Sequence, residues 1–460
     1  MARGFRLDSA VDRNGSEERD WLYAELRSVE EEMGRGDTAA LHSASERVGR
    51  LEEWLGEEGD GGEEGWAETA STIQTARGHV ERVLFRIDPA AAAYTKALAH
   101  LERAEMLPLQ RARREANLRT YLGLTCLLGH TAAHWEEAVG HFDVSIRLRE
   151  ADPDQNEALL WGLSAAWLNR GDALGRLGGS EKLLEAIRCH ETAATLLAGF
   201  DLRARPGYRT RLALCHLNIG AAKTELTLRH ALSEGEAALF HYRRAGEVLR
   251  PGAEAGIEES KRMLAVVLAN TSRARLLVTP DAFADSEKEA REALIWIEGY
   301  DTEDWELLNL DLTARLALCV AQRSQDSHAA SAPEITDLVE EGLAHLRSHL
   351  SLGGRLELFE TVAGQLFRCG AETYGEHLPR FLSDFLLDHL DPERGAGGLE
   401  RSPSCHEAAV ETLWRETGRL KHEGFSTLGT DEYERRAELE SEWHRCRERL
   451  AEIRAAHFLL

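Results

Sequence analysis

The sequence predicts an all-α protein assembled from successive helix pairs, and three observations lead there. Ten prolines punctuate the chain, apolar residues between them recur three and four apart, and no sustained two-residue alternation of a strand occurs. The prolines stand at 89, 108, 153, 206, 251, 280, 333, 379, 392 and 403, almost every one between two helical patterns. Proline inside a helix costs about 3 kcal/mol, so these positions mark helix ends. The helical spacing is plain in Leu212, Leu214, Leu217 and Ile219 beside Ala221 and Ala222, and in Leu338, Leu343 and Leu346.

In chain order, residues 1 to about 15 read as lacking regular structure. Helical patterns cover about 17–34 and 38–55 and end in Glu57-Glu58-Gly59-Asp60-Gly61-Gly62-Glu63-Glu64-Gly65, the clearest linker in the sequence. A run of paired helices follows from 66 to about 350. Further helices are expected near 355–375, 379–390, 404–423 and 430–457, with Gly395-Ala396-Gly397-Gly398 in a loop. The last opens with Thr430-Asp431-Glu432, an N-terminal cap. The expected division is an N-terminal helical segment (1–65), a repeat region (66–350) and a C-terminal helical cap (351–460).

A chain of 460 residues exceeds the size at which one core keeps growing, so several domains or a stack of repeats is expected. Its longest apolar stretches, such as Leu264 to Ala269, fall far short of a membrane span, and the N-terminus shows no apolar secretion signal. A cytoplasmic location is expected. Seven cysteines, Cys126, Cys189, Cys215, Cys319, Cys369, Cys405 and Cys446, are spread singly, which argues against a disulfide framework and for small core residues. The formal charge of −25 repels phosphate backbones and anionic lipid, so neither nucleic acid nor membrane is an expected partner.

The central region repeats itself. In the second helix of each pair, Ala138-Val139, Phe142 and Ser145-Ile146 match Ala186-Ile187, His190 and Ala193-Ala194. The same register gives Ala238-Leu239, Tyr242 and Ala245-Gly246, then Ser286, Ala290 and Ala293-Leu294. An earlier copy is read as Ala97-Leu98, Leu101 and Ala104, and a weaker later one ends at Gly342-Leu343. First helices align on Leu122-Gly123, Asn169-Arg170-Gly171, Asn218-Ile219-Gly220 and Asn270-Thr271-Ser272.

The run Trp167-Leu168-Asn169-Arg170-Gly171-Asp172-Ala173-Leu174 with Leu177-Gly178 resembles the first helix of a tetratricopeptide repeat. Trp135-Glu136-Glu137-Ala138-Val139 with Phe142 resembles the second. The resemblance covers about 285 residues. It implies a right-handed α-solenoid of about six helix pairs, whose first helices line a concave groove. Here the closing small residues Gly123, Gly171, Gly220 and Ser272 are 48, 49 and 52 residues apart, longer than the usual 34. In that respect the chain resembles the long repeats of kinesin light chains and spindle-orientation adaptors, though those are shorter than these.

The leading candidate site is the asparagine that recurs in three successive first helices, Asn169, Asn218 and Asn270. An amide offers donor and acceptor together and can bond the main chain of an extended peptide whatever its side chains. The resemblance places this position in the groove. Asp172 and Arg176 share the face of Asn169, and Arg273 that of Asn270. The competing reading is that asparagine merely tolerates a wet helix face.

Histidines His345 and His349 are four apart, and His130, His134 and His141 lie close in sequence, but no metal-ligand motif accompanies them. Asp384, Asp388 and Asp391 read as the wet side of a helix. No phosphate loop, nucleophile elbow or dinucleotide turn is present, and nothing in the sequence pairs a cysteine with a histidine. No catalytic residue, metal or cofactor is therefore expected. The expected function is a scaffold or adaptor that binds a protein or peptide segment. The alternatives are a structural protein that forms homo-oligomers through its last helix, and the sensor or regulatory subunit of a signalling system.

Overall fold

The computed structural model describes most of residues 17–298 and isolated positions beyond them. The readings made for 1–15, for the loop 59–65, for His130, His345, His349, Asp384, Asp388 and Asp391, for the copy ending at Leu343 and for nearly all of 351–460 lie outside the described residues.

Twelve helices are found among the described residues, with no strand. They are α1 (Glu17–Arg35), α2 (Thr38–Glu58), α3 (Trp66–Val83), α4 (Ile87–Arg103), α5 (Pro108–Leu127), α6 (Ala132–Glu150), α7 (Glu157–Leu177), α8 (Ser180–Leu197), α9 (Pro206–His230), α10 (Gly235–Glu254), α11 (Glu258–Val278) and α12 (Phe283–Ile297). Each odd-numbered helix packs on the even-numbered one that follows it.

Local chemistry sets many of the boundaries. Thr131 caps α6 by accepting from the His134 N–H at 3.3 Å, and Asn156 caps α7 by accepting from Leu159 at 3.0 Å. Pro108 and Pro206 open α5 and α9, where a missing N–H is harmless. Pro251 departs from the expected rule, for it lies inside the last turn of α10. The helix stops instead at Gly256, whose φ of 82° is left-handed, with the Ile257 N–H closing onto the Gly252 carbonyl at 3.0 Å.

The chain divides into two compact units, Met1–Gly199 and Phe200–Leu460. In the first, α1 and α2 share a core with α3: Leu26, Val29, Val48 and Leu51 pack with Ile73, Ala76 and Val80. Glu52 of α2 also accepts from Gln74 Nε2 at 3.0 Å and Arg77 Nη2 at 2.5 Å on α3. In the second unit, Leu239, Tyr242, Leu249, Leu264 and Val267 form the core of α9 to α12.

One contact recurs within the pairs. A small residue of the first helix receives a ring from the second, so closely that an added Cβ would meet it at 2.5 Å (Gly78 and Tyr94), 2.7 Å (Gly123 and Phe142), 2.5 Å (Gly171 and His190) or 2.9 Å (Gly220 and Tyr242). Glycine is required there by close approach alone. In the last pair Ser272 replaces the glycine, and the register position of the ring is Ala290. Ser272 Oγ instead bonds Ser286 Oγ at 2.8 Å. The copy read as Ala97, Leu101 and Ala104 is corrected by two turns, since Tyr94 is the ring, flanked by buried Ala90 and Ala97. Two turns return a helix to the same face, which is why the shifted pattern looked equivalent in the sequence.

Candidate functional site

Beyond chain neighbours, packing joins α1 to α3, α5 to α7 and α9 to α11. All are first helices, so within each unit the first helices form one layer whose members approach one another across repeats.

Asn169, Asp172 and Arg176 lie on α7 in the first unit, whereas Asn218, Asn270 and Arg273 lie on α9 and α11 in the second. The three asparagines are half-buried at one register position, yet they are not equivalent. Asn270 Nδ2 donates to the Val266 carbonyl of its own helix at 2.9 Å. Asn218 is engaged with a neighbour. The Asn169 amide makes no hydrogen bond among the described residues. Arg176 is exposed and donates to the Leu127 carbonyl at 3.2 Å, which tethers α7 to the negative end of the α5 dipole. Asp172 Oδ1 is 3.7 Å from His190 Nε2. Burial lowers the His190 pKa to about 4, so this imidazole is neutral and the contact is no ion pair. Arg273 is half-buried, and its Nε has no hydrogen-bond partner.

Residues that the sequence reading passed over complete the face. Tyr121 on α5 occupies the register of the three asparagines, and Asn117 stands one turn before it; both are half-buried. Asn117 Oδ1 accepts from Arg149 Nη2 at 2.8 Å. In the second unit burial lowers the Arg211 pKa to about 9, and His216 Nδ1 lies 3.2 Å from His241 Nδ1, where one ring donates and the other accepts.

The structure also pairs a cysteine with a histidine, which the sequence did not. Ligand atoms of Cys126, Glu137 and His141 lie within 4.8 Å of one another. Burial, then the charge and hydrogen bond of Glu137, push the Cys126 thiol up to about 12, and burial lowers the His141 pKa, with Glu137 acting against it and Arg119 with it. Cys126, Cys189 and Cys215 are buried and in no disulfide, as expected of core residues. Among the described residues no helix is long and apolar enough to cross a membrane.

No family model and no curated protein matches the sequence. Solved structures do match. The apo form of RapI aligns at 12% identity with a TM-score of 0.51, over 88% of this chain and 89% of that one. The apo form of the quorum sensor NprR from B. thuringiensis aligns at 13% identity with a TM-score of 0.50, over 92% and 99%. With these neighbours and its own recurring glycine–ring pairs, the chain has a tetratricopeptide-like helical-repeat fold.

Proposed function

We propose that this protein binds an extended peptide, or an extended segment of a partner protein, on its first-helix layer and acts as an adaptor or a regulatory sensor. The observation that carries the reading is the half-buried Asn169, whose amide has no hydrogen-bond partner among the described residues, at a position that three first helices fill with asparagine. Partly removing a primary amide from water without a partner costs free energy, and a ligand main chain restores both bonds. The nearby polar groups of Asn117, Tyr121 and Arg176 extend that surface within the first unit. The regulatory-sensor reading is favoured over a plain scaffold because the quorum sensor NprR has the same fold. Its bound segment would then be a signal.

The test is capture of partners from the native host, followed by the change Asn169→Ala. At roughly 0.5–1.5 kcal/mol per bond and two bonds to the amide, the variant should bind a captured segment roughly fivefold to a hundredfold more weakly. Recovery of self-association alone, or undiminished binding by the variant, overturns the reading. A captured partner that is a short secreted peptide favours the sensor, and a folded protein favours the adaptor.

A further inference from the structure

The second helices carry a four-residue core register, and one member breaks it. Counting from the glycine-facing ring, the last position is Leu101 in α4, Leu197 in α8, Leu249 in α10 and Ile297 in α12. All four are buried. In α6 the position is Arg149, only 7% exposed. Four repeats thus bury an aliphatic side chain where this one buries a guanidinium.

Among the described residues no carboxylate compensates it. There the one hydrogen bond made by the Arg149 side chain goes to neutral Asn117, and its buried Nε has no partner. Burial accordingly lowers its pKa to about 10, with only Tyr121 acting in the other direction. The surroundings are nonetheless built for it. A Cβ on Gly162 of α7 would approach Arg149 Nε to 3.0 Å, so glycine keeps the space open inside a helix, where it is otherwise unfavourable. Asn117 and Gly162 lie on neighbouring first helices, and Tyr121 sits at the register position of the asparagines. The charged head is therefore delivered from a second helix into the first-helix layer. Burying an unpaired charge is among the most unfavourable arrangements in a core, and a planar guanidinium is matched to a carboxylate through two parallel N–H bonds.

We propose that Arg149 is the receptor for a carboxylate of the peptide bound on the first-helix layer, either its C-terminal carboxylate or an Asp or Glu side chain. This inference rests on the peptide reading above. Arrays of random hexapeptides separate the possibilities. One set has free C-termini and no acidic residue, a second has amidated C-termini with one Asp or Glu, and a third is amidated without acid. Wild type should bind the first or second set at least tenfold better than the third, and which of the two it prefers names the source of the carboxylate. Arg149→Met should lose that preference while its melting temperature is equal to or above that of wild type. Arg149→Lys, which keeps the charge but lacks the planar fork, should retain part of it. If wild type binds all three sets alike, or Arg149→Met keeps the preference, the inference is overturned while peptide binding stands. If wild type binds no set, the peptide reading fails and this inference falls with it.

Discussion

The imidazole of His190 lies directly over Gly171, so that a Cβ on the glycine would meet Cε1 at 2.5 Å. The same embrace joins Gly123 to Phe142 and Gly220 to Tyr242, but only here is the ring an imidazole, which titrates near neutral pH in the unfolded chain.

Adding a methyl group at this contact should hurt. Gly123→Ala and Gly220→Ala force a ring off its position, and overpacking of this kind costs about 1–3 kcal/mol. Gly140 and Gly175 also lie inside helices, but nothing stands within 4 Å of their Cβ sites. Alanine there should stabilise by up to about 1 kcal/mol, the ordinary helix preference. Urea denaturation of the four variants should place them on opposite sides of wild type.

His190 should make stability fall in mild acid. Its folded pKa of about 4 lies below the 6.5 of a free imidazole, so the unfolded chain takes up the proton first. Its contribution is complete above about pH 6.5 and is lost as pH falls toward 4, by roughly 3 kcal/mol. His190→Phe, which copies Phe142, should flatten this part of the profile. Chemical denaturation at pH 7 and pH 4.5 checks it.

Removal of residues 1–65 should not leave a well-behaved remainder. Ile73, Ala76 and Val80 are almost completely buried, and they share a core with residues of α1 and α2. Losing that cover exposes an apolar stripe on α3, which should lower the melting temperature or cause aggregation. Size-exclusion chromatography and thermal melting of the truncated chain decide the matter.

Asn270→Ala should be neutral or slightly stabilising, by up to about 0.7 kcal/mol. Among the described residues its side chain bonds only a carbonyl of its own helix, which that helix already occupies. Arg176→Ala should instead cost about 0.3–1 kcal/mol, because it uncaps the Leu127 carbonyl at the C-terminal end of α5. A fall in stability for Asn270→Ala would make that residue part of the packing.

The sequence by itself determined the helices and their pairing, because both follow from short-range spacing. The small–large–small register and the prolines at Pro108 and Pro206 are each read within a few turns, whereas the caps at Thr131 and Asn156 were passed over. The one register slip, at Leu101 for Tyr94, arose because two turns of a helix restore the same face. The asparagine register was equally legible. Only tertiary structure showed that Asn270 bonds its own helix while the Asn169 amide bonds nothing among the described residues, since partners three or four residues away and partners across a repeat look alike in one dimension. Arg149 was passed over in the sequence, although it aligns with Leu197 and Leu249. That it is buried, without a carboxylate and beside Asn117, depends on the packing of three helices, and no local pattern encodes the distance between side chains brought together by folding.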